Sequence, residues 1–461
     1  MIANNDDFDD REVAEWDEEP SEQDSQDEGL ELERELSTFD ASPELAALPD
    51  GSGSVILSGP GAGTTVANPS EELTKSGLPI RSRDGALTSG VPLFIVHAPH
   101  QKRGLMPRLL ASVIAATRGA VSTAAAVGLP KGTNESLSTW LQSCAAASVR
   151  MADPLGYLLD PTIVRVPEVS ARSLRWRPYL ENPTVDIAQL LETQREVGAN
   201  LLLTSGRALD HTAPQPALDA AFTEGDEALA ELAPGERLAL NLTIPAAWLS
   251  NATLRSKLLG QLLDQEQFDI WHIRVQWQAS LRSMHQPVDE ELLTGYKRLA
   301  QLAADEGRIL MLPQTGLTGW LQLAFGSTGF GTGLFGAGQA FKEHSQRGGG
   351  GQPEIERYFE PTLLHPVERV VHDAMRAKPD YVSCACPYCP ALHAKPQWDH
   401  NLARLHMMHW QGRLAGVAAA RKKSQEAAVR QTVRTAVQAA ADAPLAGISA
   451  PRHLQAWDRL L

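Results

Sequence analysis

The chain has 461 residues, 43% of them hydrophobic and 21% charged, with a formal net charge of −15. That length suits one large domain or two ordinary ones, and the lack of any apolar run of about 18 residues excludes a membrane-spanning helix. The charge is local: residues 1–50 hold 19 acidic side chains against Arg11 and Arg34, a net of −17, whereas the rest holds 37 acids and 39 bases and is close to neutral.

A block so acidic and so poor in apolar residues cannot bury enough surface to offset its ordering entropy, so residues 1–50 read as a disordered tail. The start is acidic rather than basic and apolar, which gives no secretory signal and makes the cytoplasm the expected location. Residues 51–90, rich in Gly, Ser, Thr and Pro, read as an arm or small hairpin.

The first clear strand is Leu93-Phe94-Ile95-Val96, a short apolar run that ends in His97-Ala98-Pro99-His100. Similar runs recur at Val149 to Ala152, Leu201 to Leu203, Leu238 to Leu242, Ile270 to Val275 and Ile309 to Leu312, each separated from the next by a helix-length segment. Continuous apolar strands alternating with helices mean βα units around a parallel sheet. The expected fold is therefore α/β, a (β/α)8 TIM barrel over 91–380, with a glycine-rich last strand near Gly326 to Gly336. Asp153, at the C-terminal end of a strand, is the candidate catalytic carboxylate. His97, His100, Arg207 and His272 are the candidate polar contacts for a substrate near the same strand ends.

Three of the four cysteines fall within six residues, Cys384, Cys386 and Cys389. A C-x-C-x-x-C loop can turn three thiolates onto one tetrahedral Zn²⁺. The fourth ligand must come from outside the loop; His400, at the start of a helical pattern, is preferred, with His406 and His409 as alternatives. With four protein ligands such a zinc is structural and pins a segment, 381–410, beside the barrel. Beyond it, 411–461 reads as a basic helical extension carrying Arg413, Arg421, Lys422, Lys423, Arg430 and Arg434. That face could meet nucleic-acid phosphates.

In order, these pieces resemble the tRNA-guanine transglycosylases, barrel enzymes that exchange a base in nucleic acid. Cys384, Cys386, Cys389 and His400-Asn401-Leu402 match that family's zinc signature. Val91 to Val96 is similar to its opening strand, and Thr184 through Leu203 to a following helix and strand. The resemblance implies a nucleophilic aspartate on a late strand, but the ungapped alignment places Gly331 there, after Phe330. A second family aspartate falls on Asp153, and a third, which reads the base, falls on Thr204-Ser205-Gly206. Two readings follow. One is a catalytically silent or regulatory nucleic-acid-binding member, working as a homodimer or with a catalytic paralogue. The other is an active glycosidic-bond enzyme on tRNA or DNA that uses Asp153.

Overall fold

The computed structural model describes residues 80–97, 104–160, 185–277, 286–333, 341, 355–394, 396–419, 425–443 and 445–461. The expectations for residues 1–50, for 51–79 of the arm and for His100 lie outside them, as do Arg421, Lys422 and Lys423.

Eight parallel strands form one sheet: β1 Leu93–His97, β2 Ser122–Gly128, β3 Val149–Asp153, β4 Leu202–Leu203, β5 Leu238–Pro245, β6 Ile270–Gln276, β7 Ile309–Leu312 and β8 Gly329–Thr332. The order β3-β2-β1-β8-β7-β6-β5-β4 brings the first strand beside the last, with Ile95 opposite Gly331, so the sheet curls into the expected barrel. The helices are α1 Arg83–Thr88, α2 Met106–Thr117, α3 Asn134–Ser143, α4 Ile187–Val197, α5 Pro214–Ala230, α6 Ala247–Ser250, α7 Ala252–Asp264, α8 Glu290–Asp305, α9 Gly316–Gln322, α10 Arg369–Arg376, α11 Cys389–Ala394, α12 His400–Ala419, α13 Gln425–Ala441 and α14 His453–Leu460.

Along each strand, alternate residues face the interior. Leu93, Ile95, Val149, Met151, Leu201, Leu203, Ile309 and Met311 share one buried cluster inside the barrel, while Phe94 and Val96 join the outer core with the helices. Ala86 and Leu87 of α1 belong to the inner cluster, so this short helix plugs the N-terminal end of the barrel. Ser82 caps it by accepting the Gly85 N–H at 3.1 Å. The inward positions turn polar toward the C-terminal end, where His97, Asp153, Asn241, Thr243, His272 and Arg274 are all buried or nearly so.

The ring is closed differently between β3 and β4: the Asn200 and Leu201 N–H groups both donate to Arg150 O, at 2.9 and 3.2 Å, and side-chain amides supplement this short pairing. Asn200 accepts the Arg150 N–H at 2.7 Å and donates to Ser148 O at 3.0 Å. On β4, Gln194 from α4 donates to Leu203 O at 2.8 Å and accepts the Leu203 N–H at 2.9 Å. Buried backbone groups must be satisfied: Asn200 does so across the seam, and Gln194 does so for Leu203 from α4.

Two elements differ from the sequence reading. The strand β2 is Ser-Thr-Ala-Ala-Ala-Val-Gly, and its alanines carry a helical propensity that the sheet overrides. A second sheet, the antiparallel hairpin of β9 Arg357–Glu360 and β10 His365–Glu368, precedes α10 and packs against the cysteine segment. The C-terminal helical pattern is two described helices, α12 and α13. The first lies along α2: Gly412 faces Val113, where an added Cβ would come within 3.3 Å of the Val113 Cα.

Candidate metal centre and barrel mouth

The tightest cluster of metal-ligating side chains among the described residues is Cys384, Cys386, Cys389 and His406, whose donor atoms lie within 4.8 Å of one another. His406 Nδ1 stands 3.2 Å from Cys386 Sγ, 3.3 Å from Cys389 Sγ and 3.9 Å from Cys384 Sγ. Zinc–sulfur bonds of about 2.3 Å would span tetrahedral edges of about 3.5 Å, so the spread fits one ion.

The surroundings fit as well. His406 Nε2 donates to Phe359 O at 2.7 Å, which fixes the tautomer and leaves Nδ1 as a lone pair toward the sulfurs. Trp410 Nε1 donates to Cys384 Sγ at 3.0 Å, and Tyr358 OH lies 3.2 Å from Cys389 Sγ. The Cys384 thiol ionises well below its ordinary value, through hydrogen bonds from Cys386 and Cys389. Four protein donors, three of them buried, leave no open position for water, so the centre is suited to holding structure.

The histidine that joins the three cysteines is His406, one of the two alternatives, and not the preferred His400. Asp399 caps α12 by accepting the Leu402 N–H at 3.0 Å, which makes His400 the first helical residue. Six residues of helix separate the two histidines by about 9 Å along the axis, and only His406 reaches the loop. Of the other histidines, His393 Nε2 sits 3.1 Å from His372 Nε2, and the His409 ring meets Tyr388 and Trp410 edge-on.

The second centre is the barrel mouth. Asp153 ends β3 and is ion-paired with Arg274 of β6; the two side chains are 4% and 0% exposed. Arg274 also donates to Gln314 Oε1 at 2.8 Å and Thr243 Oγ1 at 3.2 Å. Asp153 accepts the Leu155 N–H at 3.1 Å, and Asn241 Nδ2 approaches it at 3.5 Å. Asn241 in turn accepts from His272 Nδ1 at 2.8 Å. An aromatic roof closes over the pair: Tyr157 and Phe341 meet edge-on at 4.7 Å, and the Arg274 guanidinium lies 5.0 and 5.7 Å from their ring centres.

Burial sets the charges here. It pushes the Tyr157 hydroxyl up to about 12, His97 down to about 4 and His272 down to about 3, with Arg274 adding to the fall of both histidines. Burial alone would raise the Asp153 carboxyl, but the Arg274 charge reverses this and holds it below its usual value. The mouth therefore contains one ion pair among neutral rings.

Gly331 stands where the family alignment expects a carboxylate. A Cβ added there would lie 2.4 Å from His97 Nε2 and 3.0 Å from the Pro313 Cα, so the His97 imidazole occupies the space a side chain would need. Gly206, at φ +72°, is similarly filled: its Cβ would lie 2.4 Å from Asn241 Nδ2.

Of the sequence candidates, Asp153, His97 and His272 converge. Arg207 acts instead on Glu224 of α5, whose carboxylate accepts the Ser205 N–H at 2.6 Å and the Ser205 hydroxyl at 2.7 Å. Sequence reasoning missed Arg274, Asn241 and Gln314. Arg274 left a signal, since a basic residue at an inward position of an otherwise apolar strand needs a buried acid. On the C-terminal helices, Arg413 lies over the Trp410 ring at 4.6 Å, Arg430 pairs with Glu426, and Arg434 lies 3.5 Å from Asp458. No helix of the described residues is long and apolar enough to cross a membrane. No family model matches the chain, and no curated protein matches it.

Proposed function

We propose that this protein is a catalytically silent relative of the tRNA-guanine transglycosylases, which binds nucleic acid and keeps its barrel and a structural zinc for folding and assembly. One observation carries the reading: the single candidate carboxylate at the mouth, Asp153, is neutralised by Arg274 beneath Tyr157 and Phe341. An attacking carboxylate needs an exposed oxygen and a reacting atom within van der Waals reach. Asp153 is 3% exposed, and His97 fills the space beside Gly331. The enzyme reading would need the Asp153–Arg274 pair to open in every cycle, at the cost of stranding two buried charges.

Zinc is the ion favoured by three thiolates and one imidazole in a closed tetrahedron. When bound, it would supply structural cross-linking of the cysteine loop to α12 through His406. Nucleic-acid binding rests on the family resemblance and on the arginines of α12 and α13. Their present partners are weak competitors, since exposed ion pairs contribute about 0–1 kcal/mol and phosphates can displace them. A second copy would serve assembly alone, whereas a catalytic paralogue would supply the missing chemistry.

The test is to incubate zinc-loaded protein with tRNA or duplex DNA and a 7-deazaguanine base, then run a denaturing gel. The expected result is no adduct and no exchange. An adduct that vanishes in Asp153→Ala would overturn the silent reading. Changing Arg413, Arg430 and Arg434 to Gln should reduce the salt slope of nucleic-acid binding by up to about 3; an unchanged slope would remove these helices from the interface.

A further inference from the structure

We propose that His365 and His453 form an acid-sensitive latch, which holds residues 445–461 against the β9–β10 hairpin and frees that segment when the imidazoles take up protons. His365 lies on β10 and His453 opens α14; both are fully buried, with ring centres 5.3 Å apart and planes at 32°. His365 Nε2 donates to Ile448 O at 2.8 Å, so its Nδ1 is a lone pair, and that atom has no partner. Neither ring nitrogen of His453 makes a hydrogen bond of ordinary geometry, and its ring meets Trp457 edge-on at 4.4 Å. Trp457 Nε1 is likewise unpartnered. Several unsatisfied polar atoms in one buried place are unusual, because each costs free energy that pairing would recover.

The charges around the pair do not help it ionise. From β9, Arg357 opposes a proton on His365, while Glu360, its partner across the hairpin, turns its carboxylate to Tyr381 and His372. From β10, Glu368 uses its backbone N–H to bond Ser449 Oγ at 3.1 Å. On α13, Arg434 faces Asp458 of α14, and on α8, Glu290 faces Arg459 at 2.6 Å. The Leu364 carbonyl is the one group that favours a proton on His453, while His365 opposes it. Among the described residues, neither ring is paired with a carboxylate.

Protons taken up here would leave two cations side by side in an apolar setting. The segment they hold bridges two parts of the molecule: its first half bonds the hairpin beside the cysteine centre, and its end bonds barrel helix α8, where Lys297 donates to Leu460 O at 2.8 Å. Release would loosen that tie while the α12–α2 contact stays in place.

The direction follows from linkage. Burial, aided by Arg357, lowers His365 from 6.5 to about 4, and burial with His365 lowers His453 well below 6.5. Docking is fully favoured above pH 6.5 and weakens as pH falls toward about 4. For His365 alone, moving from pH 8 to pH 5 reduces the docked-to-free ratio about 30-fold.

The experiment is amide hydrogen exchange on the full, zinc-loaded chain at pH 7.5 and 5.0, corrected for intrinsic rates, with zinc release followed by a colorimetric chelator. Protection of residues 447–460 should fall at least about tenfold relative to the barrel strands, with zinc retained. His453→Leu should keep the segment protected at pH 7.5 and lose less protection at pH 5.0 than the unaltered protein, because only His365 is left to take up a proton. His365→Gln, which can still donate to Ile448 O, should respond less than the unaltered protein. The latch is wrong if the segment and barrel lose protection together, if zinc leaves in parallel, or if both variants respond as the unaltered protein does.

Discussion

Replacing Arg274 by Leu removes the partner of a carboxylate that has no access to water. Asp153 is 4% exposed at its side chain and keeps only the Leu155 N–H and the distant Asn241 amide. Breaking a buried pair from one side costs about 3–5 kcal/mol, because a charge is left uncompensated. Gln314 Oε1 and Thr243 Oγ1 each lose a donor, which adds about 1 kcal/mol apiece. The expected loss at pH 7.5 is therefore about 5–7 kcal/mol, read as a fall in the urea midpoint of the zinc-loaded protein. The loss depends on pH with a definite sign. In the unaltered chain the carboxyl is held below its usual value, so the pair stabilises above pH 3.8 and weakens as pH falls through the folded value. Without Arg274 burial raises that carboxyl, so the variant's deficit is largest at neutral pH and shrinks on acidification as Asp153 takes a proton. Adding Asp153→Asn should restore about 2 kcal/mol or more. A single-variant loss below about 1 kcal/mol, or a double variant no better than the single, would refute the buried pair as the centre of the mouth.

Two further outcomes bear on the sites. Elemental analysis should find one zinc per chain in the unaltered protein and in His400→Ala, and much less in His406→Ala; the reverse pattern would restore the original choice of ligand. Gly331→Ala should cost about 1–3 kcal/mol by overpacking against His97, and His97→Ala should relieve most of that cost. If the two losses simply add in thermal or urea unfolding, the imidazole does not occupy the glycine's space.

The apolar strands and the cysteine loop were legible because each is a local pattern. Ile270 to Val275 announces a buried strand by itself, and three cysteines within six residues announce a metal loop. What stayed hidden was anything that depends on distance in space. The choice between His400 and His406 turns on where Asp399 caps a helix, a shift of under two turns that spacing to Cys389 does not resolve. β2 was hidden for a different reason: a run of alanines has no strand signature, and only its place between β1 and β3 makes it one. The partner of Asp153 lies 121 residues away on β6, and nothing near Asp153 in sequence points to it.

The short closure between β3 and β4 gives the barrel a joint. Seven of the ring's contacts are strand ladders, in which opening one bond strains its neighbours. At the eighth, the edges are held by the Asn200 and Leu201 N–H groups donating to Arg150 O and by the Asn200 side-chain amide, with no continuous ladder. A ring cut there becomes an open sheet with its order intact, so this is where slow breathing of the barrel should begin.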